Sequence, residues 1–375
     1  MARGEQDRPV PWRDRLLLFS LLPLTWAVQA WTRSHPEFVE NVYSRKIYPV
    51  IAEFVGTLTG WTSYSFAELL ILLVVTVTLF KKFRALRGLL RKRRSLKNVA
   101  AHGLSFSLAI VGILYFWGMF GWAFNYHRQS FLVSENLDRV GITAPELQRL
   151  SLSLANEANE LRRHLEEDDD GLLRLLESRR DALERGTLAF SSQGQEYETL
   201  RDGYVSRPKG PVINLLPWMH IAGVFFPYTG EANVTMTQPN HSLLFAGCHE
   251  MAHQLGWARE EEANFVGYAV CRRHPDEDYR YAAAQGALRY SLGALRAMDK
   301  DLAASVVATL GPGLRRDWEA SNIYWERYDG ALGENAQRVN DAYLKAQGQE
   351  EGVRSYGMMV DLLVADFRRR QPGTI

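Results

Sequence analysis

The run His249-Glu250-Met251-Ala252-His253 sets two histidines four residues apart, with a glutamate beside the first. On an α-helix, residues i and i+4 share a face, so both imidazoles can be turned toward one metal ion. Glu250 is rotated about 100° from His249. From there it reaches a metal-held water rather than the ion, which is the place of a general base. Zinc in such a site lowers the pKa of its water to roughly 7, and Glu250 would take the proton as a carbonyl is attacked. Among nine histidines in 375 residues, the five-residue pattern arises by chance in about one chain in a hundred of this composition. The plainer alternatives are a hydrogen-bonded core cluster or a closed structural zinc site. Leu243, Leu244, Phe245, Ala246, Met251 and Ala252 make the helix apolar enough to be buried. Two histidines and a glutamate buried there need partners, because each unpaired polar group costs several kcal/mol.

A catalytic zinc needs a third protein ligand and an open position. Gly256 follows His253 by three residues, where glycine permits a sharp turn. Glu260, Glu261 and Glu262 then open a second helix through Ala263, Asn264, Phe265 and Tyr268. Acids at a helix start also simply favour the dipole, but their spacing across a turn from His253 makes them ligand candidates. Strands are expected over Ile221–Phe226 and, after a Thr229-Gly230 turn, over Ala232–Met236, and Glu231, Ala232 and Asn233 lie in the segment Glu231–Met236 ahead of the histidine helix. That segment reads either as an edge strand that binds an extended substrate or as an ordinary core strand. His220 and His241 have no metal-ligand spacing to a partner and read as structural. Cys248 and Cys271 are too few for a disulfide framework; they read as buried thiols, with a bridge as the alternative.

The elements that must position this site divide the chain in two. Residues 16–32, 61–80 and 99–124 are apolar stretches of the length a bilayer core requires. The first is marginal, and a signal peptide ending near Val28-Gln29-Ala30 competes with a retained helix. Residues 81–97 hold nine basic residues, Arg91 to Arg94 among them, and no acid. By the positive-inside rule this loop and the N-terminal tail are cytoplasmic, and everything after residue 125 lies outside. The formal net charge of +1 gives no reason to expect a nucleic-acid partner. After the spans, Thr143 and Glu146 have capping-box spacing, with Pro145 in the first turn of a helix to Glu167. Asp168 to Gly171 breaks that helix, and a second one is expected to about Arg185.

Three stretches together resemble a bacterial membrane-protein family known as domain of unknown function 3810. They are Phe226-Pro227-Tyr228-Thr229-Gly230-Glu231-Ala232-Asn233, Cys248 to Gly256, and Glu260 to Phe265. The late stretch from Tyr343-Leu344-Lys345 to Gly352–Gly357 resembles it too, as does the layout of spans before a soluble domain. More distantly, the site resembles gluzincin-type zinc peptidases, in which a Glu on a second helix completes the metal site. Arg259 stands where a metzincin would carry its third histidine. Gluzincins place a polar residue four positions after that Glu, and here Asn264 follows Glu260 with that spacing. Glu260 is therefore the expected third ligand, with Glu262 the alternative. Asn264 would hold a ligating histidine, Glu261 would face solvent, and Glu262 would accept from Arg259 or the backbone. Tyr356 reads as an oxyanion stabiliser or as packing.

The expected fold is mainly α. Residues 1–128 form a membrane domain with three transmembrane helices, followed by an α+β zincin-like domain over 129–375 with a small sheet and an active-site helix. The expected function is a multi-pass, membrane-anchored zinc metallopeptidase with a cytoplasmic N-terminus. It would act outside the cytoplasm on a peptide or protein at the membrane or cell surface. The alternative is a membrane-anchored binding or scaffolding protein with a structural, non-catalytic zinc.

Overall fold

Ser65 and Ser95 each accept a backbone hydrogen bond from three residues on, and so cap two long apolar helices, Phe66–Leu90 and Leu96–Gly121. Leu96–Gly121 is long and apolar enough to cross a membrane. Phe66–Leu90 leaves Leu69 to Val75 exposed, but it also carries Glu68, Lys81 and Lys82. It starts at Phe66 rather than at residue 61 because the Ser65 cap fixes its first turn. The expected first span is two helices, Trp12–Phe19 and Leu21–Arg33, that part at Ser20 and both pack on Leu96–Gly121. The computed structural model describes residues 12–91, 95–137, 141–191, 196–200, 203–349, 351 and 358–371. Tyr356, the stretch Gly352–Gly357 and three of the loop's basic residues (Lys92, Arg93 and Arg94) lie outside the described residues.

Beyond these, the described residues form further helices, the loops between them and one small sheet. Helix Ala144–His164 begins at Thr143 with half of the expected capping box: Glu146 accepts from the Thr143 backbone, but the Thr143 side chain makes no cap bond. Glu146 is also engaged by Arg368 at 2.6 Å. The Asp168 carboxylate accepts from the Asp170 and Leu172 amides, which holds that segment as a turn. The helix expected to follow shrinks to Arg179–Arg185, capped by Ser178.

Strand β1 (Gly223–Phe226) pairs antiparallel with β2 (Glu231–Val234), Phe225 opposite Ala232. The edge-strand reading of Glu231, Ala232 and Asn233 is corrected here. All three are buried, and the far side of β2 is occupied, since Lys209 N donates to Ala232 O and Val234 N to Lys209 O. The Glu231 carboxylate accepts from the Phe66 and Ala67 amides and pairs with the buried Lys209 ammonium at 3.7 Å. β2 is therefore a core strand, and β1 is its outer neighbour.

The two larger of three apolar clusters organise the packing. The larger surrounds the central helix Glu277–Met298, which lies against both Ala144–His164 and the histidine helix, and includes Leu147, Leu154, Phe265 and Leu288. The smaller joins Tyr43, Tyr48, Met119 and Trp122 to Phe225, Ala258 and Leu344. Its members come from both sides of residue 128, so the N-terminal helices and the later chain share a core.

Candidate metal centre

The histidine helix runs Asn240–Gln254 with no side-chain cap. It stops because Gly256 takes φ +81°, a left-handed conformation that glycine adopts without strain. The chain turns back through Arg259 into the helix Glu260–Cys271. The turn returns Glu260 to the two histidines, eleven residues after His249 and seven after His253.

Glu260 Oε2 lies 3.3 Å from His249 Nε2 and 3.5 Å from His253 Nε2. Two donors held about 2.05 Å from a tetrahedral zinc stand about 3.3 Å apart, so these separations match the edges of one coordination tetrahedron. The two imidazole rings are perpendicular, with centroids 4.7 Å apart. His253 Nδ1 is 2.7 Å from Trp257 O. A carbonyl only accepts, so Nδ1 carries the hydrogen and neutral His253 presents its Nε2 lone pair. Glu260 Oε2 is fully buried yet makes no hydrogen bond, and His249 Nδ1 and Glu250 Oε2 share that state. Buried polar atoms are rarely left so. Three orphans in one cluster of nitrogen and carboxylate donors fit a bound zinc and its water.

Glu250 also lies near the histidines: ligand atoms of His249, Glu250 and His253 fall within 4.8 Å of one another. Glu250 stands at a looser 4.0 Å from His249 Nε2 and accepts a hydrogen bond from the Phe225 amide, which holds it beside the cluster. Burial pushes its carboxyl up to about 7, and Glu260 adds to this while the histidines oppose it. Burial would also raise Glu260, but His253 and His249 outweigh it and hold the carboxyl down at about 2. For His253, burial works against the charged ring, and Glu260 overcomes it to lift the group to about 9. In the metal-free site Glu260 and His253 thus form an ion pair and Glu250 is poised near neutrality.

The supports of this cluster were largely hidden in the sequence. A Cβ on Gly267 would sit 3.1 and 3.2 Å from His249 N and Cα, so glycine lets the Glu260 helix cross tightly behind the first histidine. A Cβ on Gly223 would sit 2.6 Å from Glu250 Oε1, so β1 also passes close. Cys248 and Cys271 form a disulfide between these two helices, which corrects the buried-thiol reading. The last carbonyls of the histidine helix lack intrahelical donors, and they and the turn after them are met by residues from the N-terminal part of the chain. Tyr48 Oη donates to Gln254 O at 2.9 Å, Trp122 Nε1 to His253 O at 3.1 Å, and Arg128 Nη1 to Gly256 O at 3.1 Å. Arg128 is itself held by Glu40 at 2.7 Å. The available signal was the cluster of Tyr115, Phe116, Trp117 and Trp122 toward the end of the 99–124 stretch.

The other expected residues are placed as follows. Glu262 accepts from Arg259 and from the Phe131 amide, away from the histidines. Asn264 is hydrogen-bonded to Tyr290, while Trp257 holds His253, so the expected histidine-holding role of Asn264 is corrected. Glu261 is half-buried and accepts from Gln349 at 2.8 Å, so it does not face solvent freely. His241 bonds Ser321, and His220 bonds Tyr328 O; both are structural. Helix Ala331–Ala346 reaches from His220, against Gly333, to Leu344 in the apolar cluster that includes Phe225. It brings Tyr343 to Tyr126 and within the field of Glu260, a tyrosine that sequence reasoning did not single out.

No curated protein and no solved structure matches the chain significantly. One family model does, described as protein of unknown function (DUF3810), and it spans residues 43–364. That match takes in the small sheet, the histidine and glutamate helices and the apolar helix beside them, so the chain belongs to this family of unknown function.

Proposed function

We propose that this chain is a membrane-anchored zinc metallopeptidase with a zincin-like site, hydrolysing peptide bonds of a peptide or protein at the membrane or cell surface. One observation carries the reading: a buried Glu260 oxygen, without a hydrogen bond, set between two histidine Nε2 atoms at tetrahedral-edge distances. His249, His253 and Glu260 would hold the ion. Zinc so held supplies a Lewis acid and a water that ionises near neutral pH.

The remaining work falls to the chain. Glu250 takes the proton from the attacking water at a carboxyl oxygen and returns it to the leaving amine. A carboxyl near pH 7 serves both steps. The Phe225 amide fixes the Glu250 carboxyl while its Oε2 stays unpartnered. β1, paired only to β2 among the named strands, is the strand that would take an extended substrate backbone.

The multi-pass anchor is supported by the apolar Leu96–Gly121 helix, the exposed apolar length of Phe66–Leu90 and the helix pair before them. The basic 81–97 loop favours a cytoplasmic position for that loop. A disulfide beside the site suits an oxidising compartment, outside the cytoplasm. The rival is a structural zinc in a binding or scaffolding protein. It needs a fourth protein ligand, and Cys248, the neighbour of His249, is committed to the disulfide.

The test uses the full chain in lipid nanodiscs, wild type and Glu250→Gln, scored for zinc content and for cleavage of a peptide library by mass spectrometry. Equal zinc in both, with cleavage lost only in the variant and on chelation, supports the enzyme. Equal zinc with no difference in cleavage favours the structural role.

A further inference from the structure

Resting on the membrane reading above, we infer that the protein makes a second, interfacial contact with the bilayer. It is an apolar rim formed by the outer face of helix Tyr48–Thr59, the turn after it and the loop 211–216. Phe54 and Leu58 are four residues apart and form one ridge of that helix, with Trp61 following; all three are exposed. Val212, Ile213 and Leu215 are exposed as well. So many large apolar side chains on one surface mark an interaction site rather than ordinary exterior.

What covers this rim is indicated by its attachment. The Glu68 carboxylate, in the first turn of Phe66–Leu90, accepts from the Val212 amide at 2.8 Å and the Ile213 amide at 2.6 Å. Gly210 N donates to Ser63 O, and the Trp61 ring meets the Phe66 ring at 5.6 Å. The loop and the turn are thus fixed to the end of an apolar helix whose own exposed residues continue the same surface. Tryptophan and tyrosine gather where a span meets the headgroups, and Trp61 and the exposed Tyr64 stand at that level. Glu53, exposed on the flank of the ridge, would remain among the headgroups. A short helix lying with its apolar face in the headgroup and acyl boundary is a known mode of attachment. Loop 211–216 leads within seven residues to β1, so the rim would hold the edge beside Glu250 close to the lipid surface.

The experiment uses site-directed spin labels on the full chain in phosphatidylcholine–phosphatidylglycerol vesicles. Both native cysteines are in the disulfide, so one introduced thiol is labelled at a time. Leu215→Cys and Leu58→Cys probe the rim, Val111→Cys probes the apolar helix, and Met298→Cys marks an exposed end of the central helix. All four positions are exposed, so the fold should tolerate the changes. Collision with oxygen should exceed collision with a water-soluble nickel chelate at 215, 58 and 111, with the reverse at 298. If 111 reads as lipid-buried while 215 and 58 read like 298, the rim is not a membrane contact and another protein is its partner. If 111 itself reads like 298, the anchor reading falls and this proposal with it.

Discussion

Removing the Cys248–Cys271 disulfide should both destabilise the protein and loosen its metal site. The bond closes a sequence separation of 23, for which loop-closure entropy gives about 3.4 kcal/mol at 25 °C. With about 2.1 cal/mol/K of unfolding entropy per residue over 375 residues, each kcal/mol moves the melting midpoint by about 1.3 °C, so a fall of roughly 4 °C is expected. The bond also joins the residue before His249 to the last residue of the Glu260 helix, so its loss frees the two ligand-bearing helices to part. Zinc should therefore bind more weakly in Cys248→Ala/Cys271→Ala, beyond what global destabilisation alone would give. Melting followed by tryptophan fluorescence, with metal content measured below the transition, tests both effects. Because both sulfurs are fully buried, the variant also loses packing, and reductant-treated wild type serves as the comparison without that loss. A double variant that melts with the wild type and retains zinc equally would refute the reasoning.

Gly267→Ala places a methyl against the backbone of His249, so the helices must separate by a few tenths of an ångström. Zinc affinity should fall about tenfold or more, as when ligand-supporting contacts are lost, and an unchanged affinity in titrations with a zinc indicator would count against the crossing as drawn. In the metal-free protein His253 is lifted to about 9 by Glu260 despite burial, so a proton occupies the ligand atom at neutral pH. Zinc affinity should then rise about tenfold per pH unit from pH 7 to 9 as that proton is released, whereas a flat profile would contradict the ion pair. A reporter fused after residue 130 or at the C-terminus should be active only outside the cytoplasm, and one in the 81–97 loop only inside; reversed signals would overturn the orientation.

The His249, Glu250 and His253 cluster and the approach of Glu260 to it were legible because both lie in local spacing. Four residues separate the histidines on one helix, a glycine allows the turn, and acids open the next helix. What failed depended on contacts across the fold. Nothing in residues 231–236 shows that Lys209 covers their far side, so a core strand could be taken for an edge. Asn264 has the spacing to support a ligand, but Tyr290 claims it. Cys248 and Cys271 sit in helix-like sequence that gives no hint that the two helices cross there. The grip of Tyr48, Trp122 and Arg128 on the end of the histidine helix joins residues more than 120 positions apart. An apolar aromatic run cannot announce which carbonyl it will meet.

An anomalous diffraction map at the zinc absorption edge, from crystals of the full chain, locates the ion. One peak is expected about 2 Å from His249 Nε2, His253 Nε2 and a Glu260 oxygen, with Glu250 outside the coordination sphere and the fourth position open to solvent. A peak closed by a fourth protein ligand, or zinc-supplemented crystals with no peak between these residues, would contradict the proposed catalytic zinc.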